Sequence, residues 1–175
     1  MKLIKSKKEV DIKIKEIYRL KNKLYNLDSY IYEYSEDFLK EFVKFYSINK
    51  KSMFFIKNYI KKENIAILNY IEINENVRKM GIGKLFLSHF INEMKKKEVS
   101  TILLIADVKR DQKIGFSLLN WYQRMGFSII YDDKKFPVLG LKQNIKNYDK
   151  NLNIKNVKEI INKKIEIYCN DRTIK

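Results

Sequence analysis

An α/β fold is predicted by three stretches of the chain. Ile65 to Ile73 is apolar on both parities, with Ile65, Ile67, Ile71 and Ile73 on one and Ala66, Leu68 and Tyr70 on the other. That is the pattern of a central strand covered by helices on both sides. The chain then passes through Arg78-Lys79-Met80-Gly81-Ile82-Gly83-Lys84 into a helical pattern of Leu85, Phe86, Phe90, Ile91 and Met94. A second apolar run, Thr101 to Ala106, follows that helix, so strand, helix and strand succeed one another.

The remaining elements are read in order. From about Asp11 to Leu27, Ile14, Ile17, Tyr18, Leu24 and Tyr25 recur at spacings near three and four, which suggests an amphipathic helix, while the alternation of Ile12 and Ile14 suggests a first strand. Both readings stand at this stage. Ser35 followed by Glu36-Asp37 reads as an N-cap with acidic first-turn residues, and Phe38, Phe42, Phe45 and Tyr46 form the apolar face of the helix it opens. Met53 to Ile56 is a short apolar run, and Lys61-Lys62-Glu63-Asn64 is a polar break before the central strand. Lys95-Lys96-Lys97 closes the helix after Gly83, where positive charge suits the dipole, and His89 on the margin of its apolar face reads as a packed or surface residue. After Asp107 a loop from Lys109 to Lys113 leads to Phe116, Leu119, Trp121 and Tyr122 on a further helix, with Gly126 as its cap. Phe127 to Tyr131 and Phe136 to Leu141 read as a hairpin joined through Asp132-Asp133-Lys134-Lys135. Beyond Gln143 the sequence becomes polar, and Ile154, Val157, Ile161, Ile165 and Tyr168 make a C-terminal amphipathic helix. The expected organisation is a domain over 1–143, then a linker and helix over 144–175 that pack on the domain, a second subunit in a homodimer, or another partner.

A chain of 175 residues is about one domain with a real core, and 45% hydrophobic residues with one proline exclude a disordered or collagen-like class. The net charge of +16 has two readings. It is nearly all lysine and accompanies heavy use of isoleucine, asparagine and tyrosine, the bias of an A+T-rich genome; it also suits a polyanionic partner such as nucleic acid. One cysteine, Cys169, and one histidine exclude an intramolecular disulfide and a Cys/His metal cluster. No apolar run has the length of a membrane span, and Met1 to Lys5 lacks a signal-peptide core, so the expected compartment is the cytoplasm.

The chemistry is concentrated at Arg78 to Lys84. A strand end, a glycine turn and a helix start leave backbone N–H groups without intrahelical acceptors, where the helix dipole adds partial positive charge. Gly81 and Gly83 carry no Cβ to hold a ligand off the main chain, and Arg78, Lys79 and Lys84 supply full charges. A phosphate or pyrophosphate fits there. The P-loop is excluded because Gly83-Lys84 is followed by Leu85, and the dinucleotide fingerprint lacks one of its glycines.

Arg78-x-x-Gly81-x-Gly83 after a strand and before a helix resembles the acyl-CoA signature of the GNAT superfamily of N-acyltransferases. Tyr122 with Gly126-Phe127 four residues on resembles the second signature of the same superfamily, in the right order. The resemblance covers about residues 65 to 143. It implies a mixed, mostly antiparallel sheet of about seven strands flanked by helices, with Ile65 to Ile73 and Thr101 to Asp107 as splayed central parallel strands. It implies acetyl-CoA as co-substrate and no metal, with the pantetheine arm along the main chain of Ile71, Glu72 and Ile73 and the pyrophosphate on the turn formed by Lys79, Met80, Gly81, Ile82, Gly83 and Lys84. By the same resemblance Tyr122 is the general acid beside the CoA sulfur. The base is not where family members carry it, since the two strand positions that hold glutamate in some of them are Ile67 and Ile105 here. Glu72 has the opposite parity from Ile67 and is expected on the other side of the sheet; Asp107 shares the parity of Ile105 and is the base expected, alongside deprotonation through water. Gly115 stands where many members have asparagine. The expected function is transfer of an acetyl group to a primary amine of a small molecule, peptide or protein, with two alternatives: an RNA-borne amine such as aminoacyl-tRNA, or a CoA-binding regulatory module without chemistry.

Overall fold

From Ile14 to Lys21 and again from Tyr25 to Leu27 the chain is extended, not helical. In the computed structural model, which describes residues 14–21, 23–60, 63–108 and 116–173 with the side chains of 168–173 excepted, it forms β1 (Ile14–Lys21) and the start of β2 (Tyr25–Glu33). The two strands pair antiparallel from Ile14 opposite Tyr32 to Lys21 opposite Asn26. Tyr18 and Leu20 pack into the core while Ile17 and Arg19 are exposed, a period of two that the three-and-four spacing of Ile14, Ile17 and Tyr18 concealed. β2, buried almost throughout, supplies the backbone partner that fixes the extended form. Met1 to Lys5, Asp11, Ile12, Lys61, Lys62, the loop from Lys109 to Lys113, Gly115, and the side chains of Tyr168 and Cys169 lie outside the described residues.

The next two elements are helices. α1 (Glu36–Phe45) starts where the Ser35 hydroxyl accepts from the Phe38 N–H at 3.0 Å, and it buries Phe38, Leu39, Phe42 and Val43. The apolar run at Met53 lies in α2 (Ser52–Tyr59), which buries Ile56 and leaves Phe54 and Phe55 exposed. β3 (Asn64–Ile73) leads through a short turn of 3₁₀ helix (Glu75–Val77) to α3 (Ile82–Lys96), which is followed by β4 (Val99–Ile105), α4 (Leu118–Arg124), β5 (Ser128–Tyr131), β6 (Val138–Lys142) and α5 (Ile154–Thr173).

The sheet order is β1-β2-β3-β4-β6-β5. β3 and β4 are parallel, and the other four pairings are antiparallel. This is the mixed, mostly antiparallel sheet with a central parallel pair that the sequence motifs imply, with six strands among the described residues in place of about seven. α1 and α2 cover one face, burying Tyr30, Tyr32, Ile65, Ile67 and Leu103. α3, α4 and α5 cover the other, burying Leu27, Ile31, Ala66, Leu68, Ile102 and Leu104.

The C-terminal helix belongs to that second layer. Val157 and Ile161 are fully buried in it. The segment before the helix is tied to α3 by side chains at successive turns. His89 is buried, bonding the Leu152 carbonyl through Nδ1 at 2.9 Å and the Tyr18 hydroxyl through Nε2 at 3.1 Å. Asn92 donates to the Asp149 carbonyl at 2.8 Å and accepts from its N–H at 2.6 Å, and Lys95 donates to the Asn147 carbonyl at 2.9 Å.

Candidate functional site

The site begins where the parallel pair comes apart. β3 and β4 pair from Asn64–Val99 to Leu68–Leu104 and no further. Beyond that point β3 continues along β2 as far as Tyr25–Ile73, while β4 stays with β6 through Ile105–Val138. Among the described residues, the β3 edge from Asn69 to Ile73 therefore has no strand beside it on the β4 side, and its main-chain donors and acceptors there are presented as on an edge strand. An extended ligand could take the place of the missing strand there.

A bulge sits at the start of that edge. Tyr70 is opposite Asp28 but Leu68 is opposite Ser29, so Asn69 is an extra residue in β3. It reverses the side-chain alternation downstream. Ile71 and Ile73 pack with Ala66 and Leu68 on the α3 face, although by simple parity they belong with Ile65 and Ile67. Glu72 and Tyr70 consequently lie on the same face as Ile67. The parity expectation for Glu72 is thus corrected, and its physical reason is the one-residue shift. The Asn69 carboxamide oxygen accepts a hydrogen bond from the Tyr46 hydroxyl.

The turn follows within a few residues. The Arg78 guanidinium folds back, its Nε donating to the Ile73 carbonyl at 3.0 Å and its Nη1 lying 3.5 Å from Glu75. This side chain fixes the turn to the strand end; in this structure it does not point its charge at a free phosphate position. Lys79 and Gly81 have φ of +67° and +75°, so the turn passes twice through the left-handed region before α3 begins. Gly81 is the N-cap and offers no side-chain acceptor. The first α3 amide to find an intrahelical acceptor is Leu85, which donates to Gly81 at 3.1 Å, leaving the amides of Ile82, Gly83 and Lys84 in the uncapped first turn. Met80 and Ile82 point into the core, whereas Lys79 and Lys84 are exposed. A Cβ placed on Gly83 would lie 3.6 Å from Ile73 and 3.6 Å from the Trp121 ring, so strand end, helix start and α4 meet there.

Tyr122 is next to Trp121 on α4 and is 5% exposed. Its carbonyl accepts from the Phe127 N–H at 3.1 Å while Gly126, at φ +93°, donates to Gln123 at 2.9 Å. These are the two bonds of a Schellman motif, and the accompanying apolar contact is the Tyr122 ring against Phe127 at 5.6 Å between centroids. The spacing of tyrosine, glycine and phenylalanine in the second motif is thus the spacing of a helix stop. Asp107 is exposed just past β4, on the other limb of the opening, beyond Ala106, whose N–H donates to Pro137 at 3.1 Å. A groove of about 480 Å³ runs beside the strand end between the β1–β2 hairpin and the 3₁₀ turn; it reaches Glu72, Ile73 and Arg78 but not Gly81, Gly83 or Lys84, so it is a neighbour of the glycine turn and not the turn itself.

The structure therefore brings together Ile71, Glu72, Ile73 and the whole Arg78 to Lys84 turn, with Tyr122 one residue from the Trp121 ring that touches it. Sequence reading missed Asn69, Tyr46 and Trp121 as members of the site. A polar Asn69 inside an otherwise apolar run was the one local signal.

No protein-family model matches the sequence, and no curated protein matches it. Among solved structures the chain is similar to PH1933 from Pyrococcus horikoshii OT3, at 18% identity and a TM-score of 0.39 over 47% of this chain and 48% of that one, about half its length. It is also similar to the ribosomal-protein-S18-alanine N-acetyltransferase from Escherichia coli, at 14% identity and a TM-score of 0.42 over 78% of this chain and 74% of that one. A third is the PaiA N-acetyltransferase from Thermoplasma acidophilum in complex with coenzyme A, at 19% identity and a TM-score of 0.38 over 63% and 80%. In its two motifs, and in a mixed sheet whose one parallel pair among the described residues opens beside the glycine turn, the chain resembles the GNAT superfamily of N-acyltransferases.

Proposed function

We propose that this protein is an acetyl-CoA-dependent N-acetyltransferase acting on a primary amine. The observation that carries the proposal is the adjacency of two unlike binding features: an open strand edge from Asn69 to Ile73 and, tied to it by Arg78, a helix N-terminus with uncapped amides. CoA has the matching form, an amide-bearing arm that pairs like a strand and a pyrophosphate that suits a helix start. On this reading Ile71, Glu72 and Ile73 hold the arm, and the turn from Lys79 to Lys84 holds the phosphates.

Direct transfer needs a neutral amine. Its nitrogen attacks the thioester carbonyl, the C–N bond forms, the C–S bond breaks, the nitrogen loses a proton, and the CoA thiolate gains one. A donor to the tetrahedral oxyanion accelerates this step, and the bulged main chain at Asn69 lies at the mouth where that oxygen would sit. Tyr122 is assigned as the acid to the thiolate, and Asp107, at the end of the facing strand, as the base acting directly or through one water.

Titration calorimetry with acetyl-CoA and with CoA is the direct test, and failure of both to bind would remove the proposal. A second reading, a CoA-binding module without chemistry, is favoured by the packing of Tyr122, whose role in the helix stop suffices to explain its presence. Tyr122→Phe separates the two, because it keeps the ring and the Schellman bonds. Catalysis predicts acetyl transfer in the parent and a loss of about 100-fold or more in the variant at nearly unchanged melting temperature; a parent inactive on a broad amine panel favours the module.

A further inference from the structure

On the face of the sheet opposite the glycine turn, one row of side chains crosses three strands: Arg19 of β1, Asp28 of β2 and Tyr70 of β3, each directly opposite the next. Directly opposed residues in antiparallel strands share a face, so the three side chains lie together. Tyr30, two residues along β2, shares that face. Tyr46, just past the end of α1, closes the row at Asn69, where the parallel strands begin to part.

The charges in this row are unequally hydrated. The Asp28 side chain is 9% exposed and the Arg19 side chain 55%, joined by one contact of 3.2 Å from Arg19 Nε to Asp28 Oδ1 in place of a two-pronged pair. A desolvated carboxylate paired with a cation that stays in water gains little stability from the pair. A carboxylate accepts about four hydrogen bonds, and the Arg19 Nε supplies one to Asp28. Phenol side chains share its face, Tyr70 directly opposite and Tyr30 two residues along, and aromatic rings favour a cation further. In a chain of net charge +16, a spot of this kind is where an ammonium ion would settle. The exposed Tyr70 ring lies at the solvent lip of the row, beside the opening along which the acyl donor is proposed to lie.

We propose that this row recognises the acceptor, and that the acceptor is a primary ammonium carried on an aromatic or apolar body, held by Asp28 and flanked by Tyr30, Tyr46 and Tyr70. The inference rests on the acetyltransferase reading for its place in the reaction, but the recognition of a cation is measurable without it. Asp28 is a substrate-anchoring residue here, distinct from the acid and the base.

Tyramine and tyrosol make the test, since they differ only in carrying an ammonium or a hydroxyl on the same phenethyl frame. Their binding to the full-length protein is measured by NMR titration with and without CoA. The expected result is that tyramine binds about tenfold more tightly than tyrosol or better, that Asp28→Asn removes the difference, and that Tyr70→Leu weakens both ligands while keeping it. If acetyl transfer to tyramine is seen, Asp28→Asn raises KM for tyramine and leaves KM for acetyl-CoA unchanged. Equal binding of the two probes, no binding of either, or a preference that survives Asp28→Asn in a folded protein would overturn the proposal. Should Asp28→Asn fail to fold, Tyr70→Leu decides, and unchanged affinity for both probes counts against. Loss of CoA binding alone would fail the acetyltransferase reading and leave the ammonium site standing.

Discussion

Gly81 and Gly83 are two residues apart and do different work. Gly81 has φ of +75° and open space where a Cβ would be, so its side-chain-free state serves the backbone angle. Gly83 has a helical angle, and an added Cβ would make ordinary contacts at 3.6 Å with Ile73 and Trp121. Alanine therefore separates folding from binding. Gly81→Ala is expected to cost about 1 kcal/mol of stability, from the left-handed angle alone. Gly83→Ala should leave stability unchanged or raise it by up to about 1 kcal/mol, as alanine does in helices, while the proposed phosphate site at this turn predicts that the new methyl weakens CoA about tenfold or more. Urea denaturation and calorimetry on the same preparations check both. A Gly83→Ala protein that binds CoA as the parent does would show that the ligand does not approach the main chain at that residue.

At the scale of elements, contacts between distant segments decide what local sequence leaves open. Gly140 of β6 is one such point. Tyr59 of α2 donates to its carbonyl at 2.9 Å, and a Cβ on Gly140 would run into the Tyr59 ring and the Ile130 side chain. Gly140→Ala is expected to destabilise the fold by about 1 to 3 kcal/mol, as overpacking does, measurable as a lowered melting temperature. The α3 strap gives a second case: Asn92→Ala removes both bonds from a buried side chain to the Asp149 main chain, so hydrogen exchange at 149–161 should quicken and stability fall by about 1 to 3 kcal/mol. The glycine turn, α1 with its Ser35 cap, α3, β4 and the closing hairpin were legible in the sequence because capping, glycine chemistry and periodicity are local. β1 was not, since Ile14, Ile17 and Tyr18 satisfy helical spacing as well as a strand, and only pairing with β2 breaks the tie. Neither was the bulge at Asn69, because a one-residue offset exists only relative to a partner strand. The Asp28 row escaped for the same reason: its members are far apart in sequence and meet through register.

The whole molecule holds its sheet between two apolar layers, and the layer under α1 is unusually phenolic. Burial pushes the hydroxyls of Tyr32 and Tyr46 in that layer, and of Tyr18 in the α3 layer, upward, Tyr32 from 10.0 to about 12. The folded state therefore prefers these phenols protonated. Their contribution is fully present below the unfolded value near 10 and is lost as pH rises through the folded values. Alkaline unfolding should accordingly begin above about pH 10 and be well advanced by about pH 12, with phenolate absorbance and circular dichroism changing together. Phenolate forming well ahead of the loss of ellipticity would mean that the tyrosines are open to solvent. The net charge of +16 adds self-repulsion that alkali relieves, so a fall in stability on that side is the more telling outcome.

The bond from Arg78 to the Ile73 carbonyl sets a fixed gauge. Because one side chain ties the strand end to the glycine turn, the distance between the open edge and the uncapped amides is set within the folded chain before any ligand arrives. On the proposed reading a donor long enough to span both ends would collect both sets of bonds at once, and a short one such as acetyl phosphate would have to choose. Selection among acyl donors would then be a measurement of length, made before any atom of the acyl group is inspected.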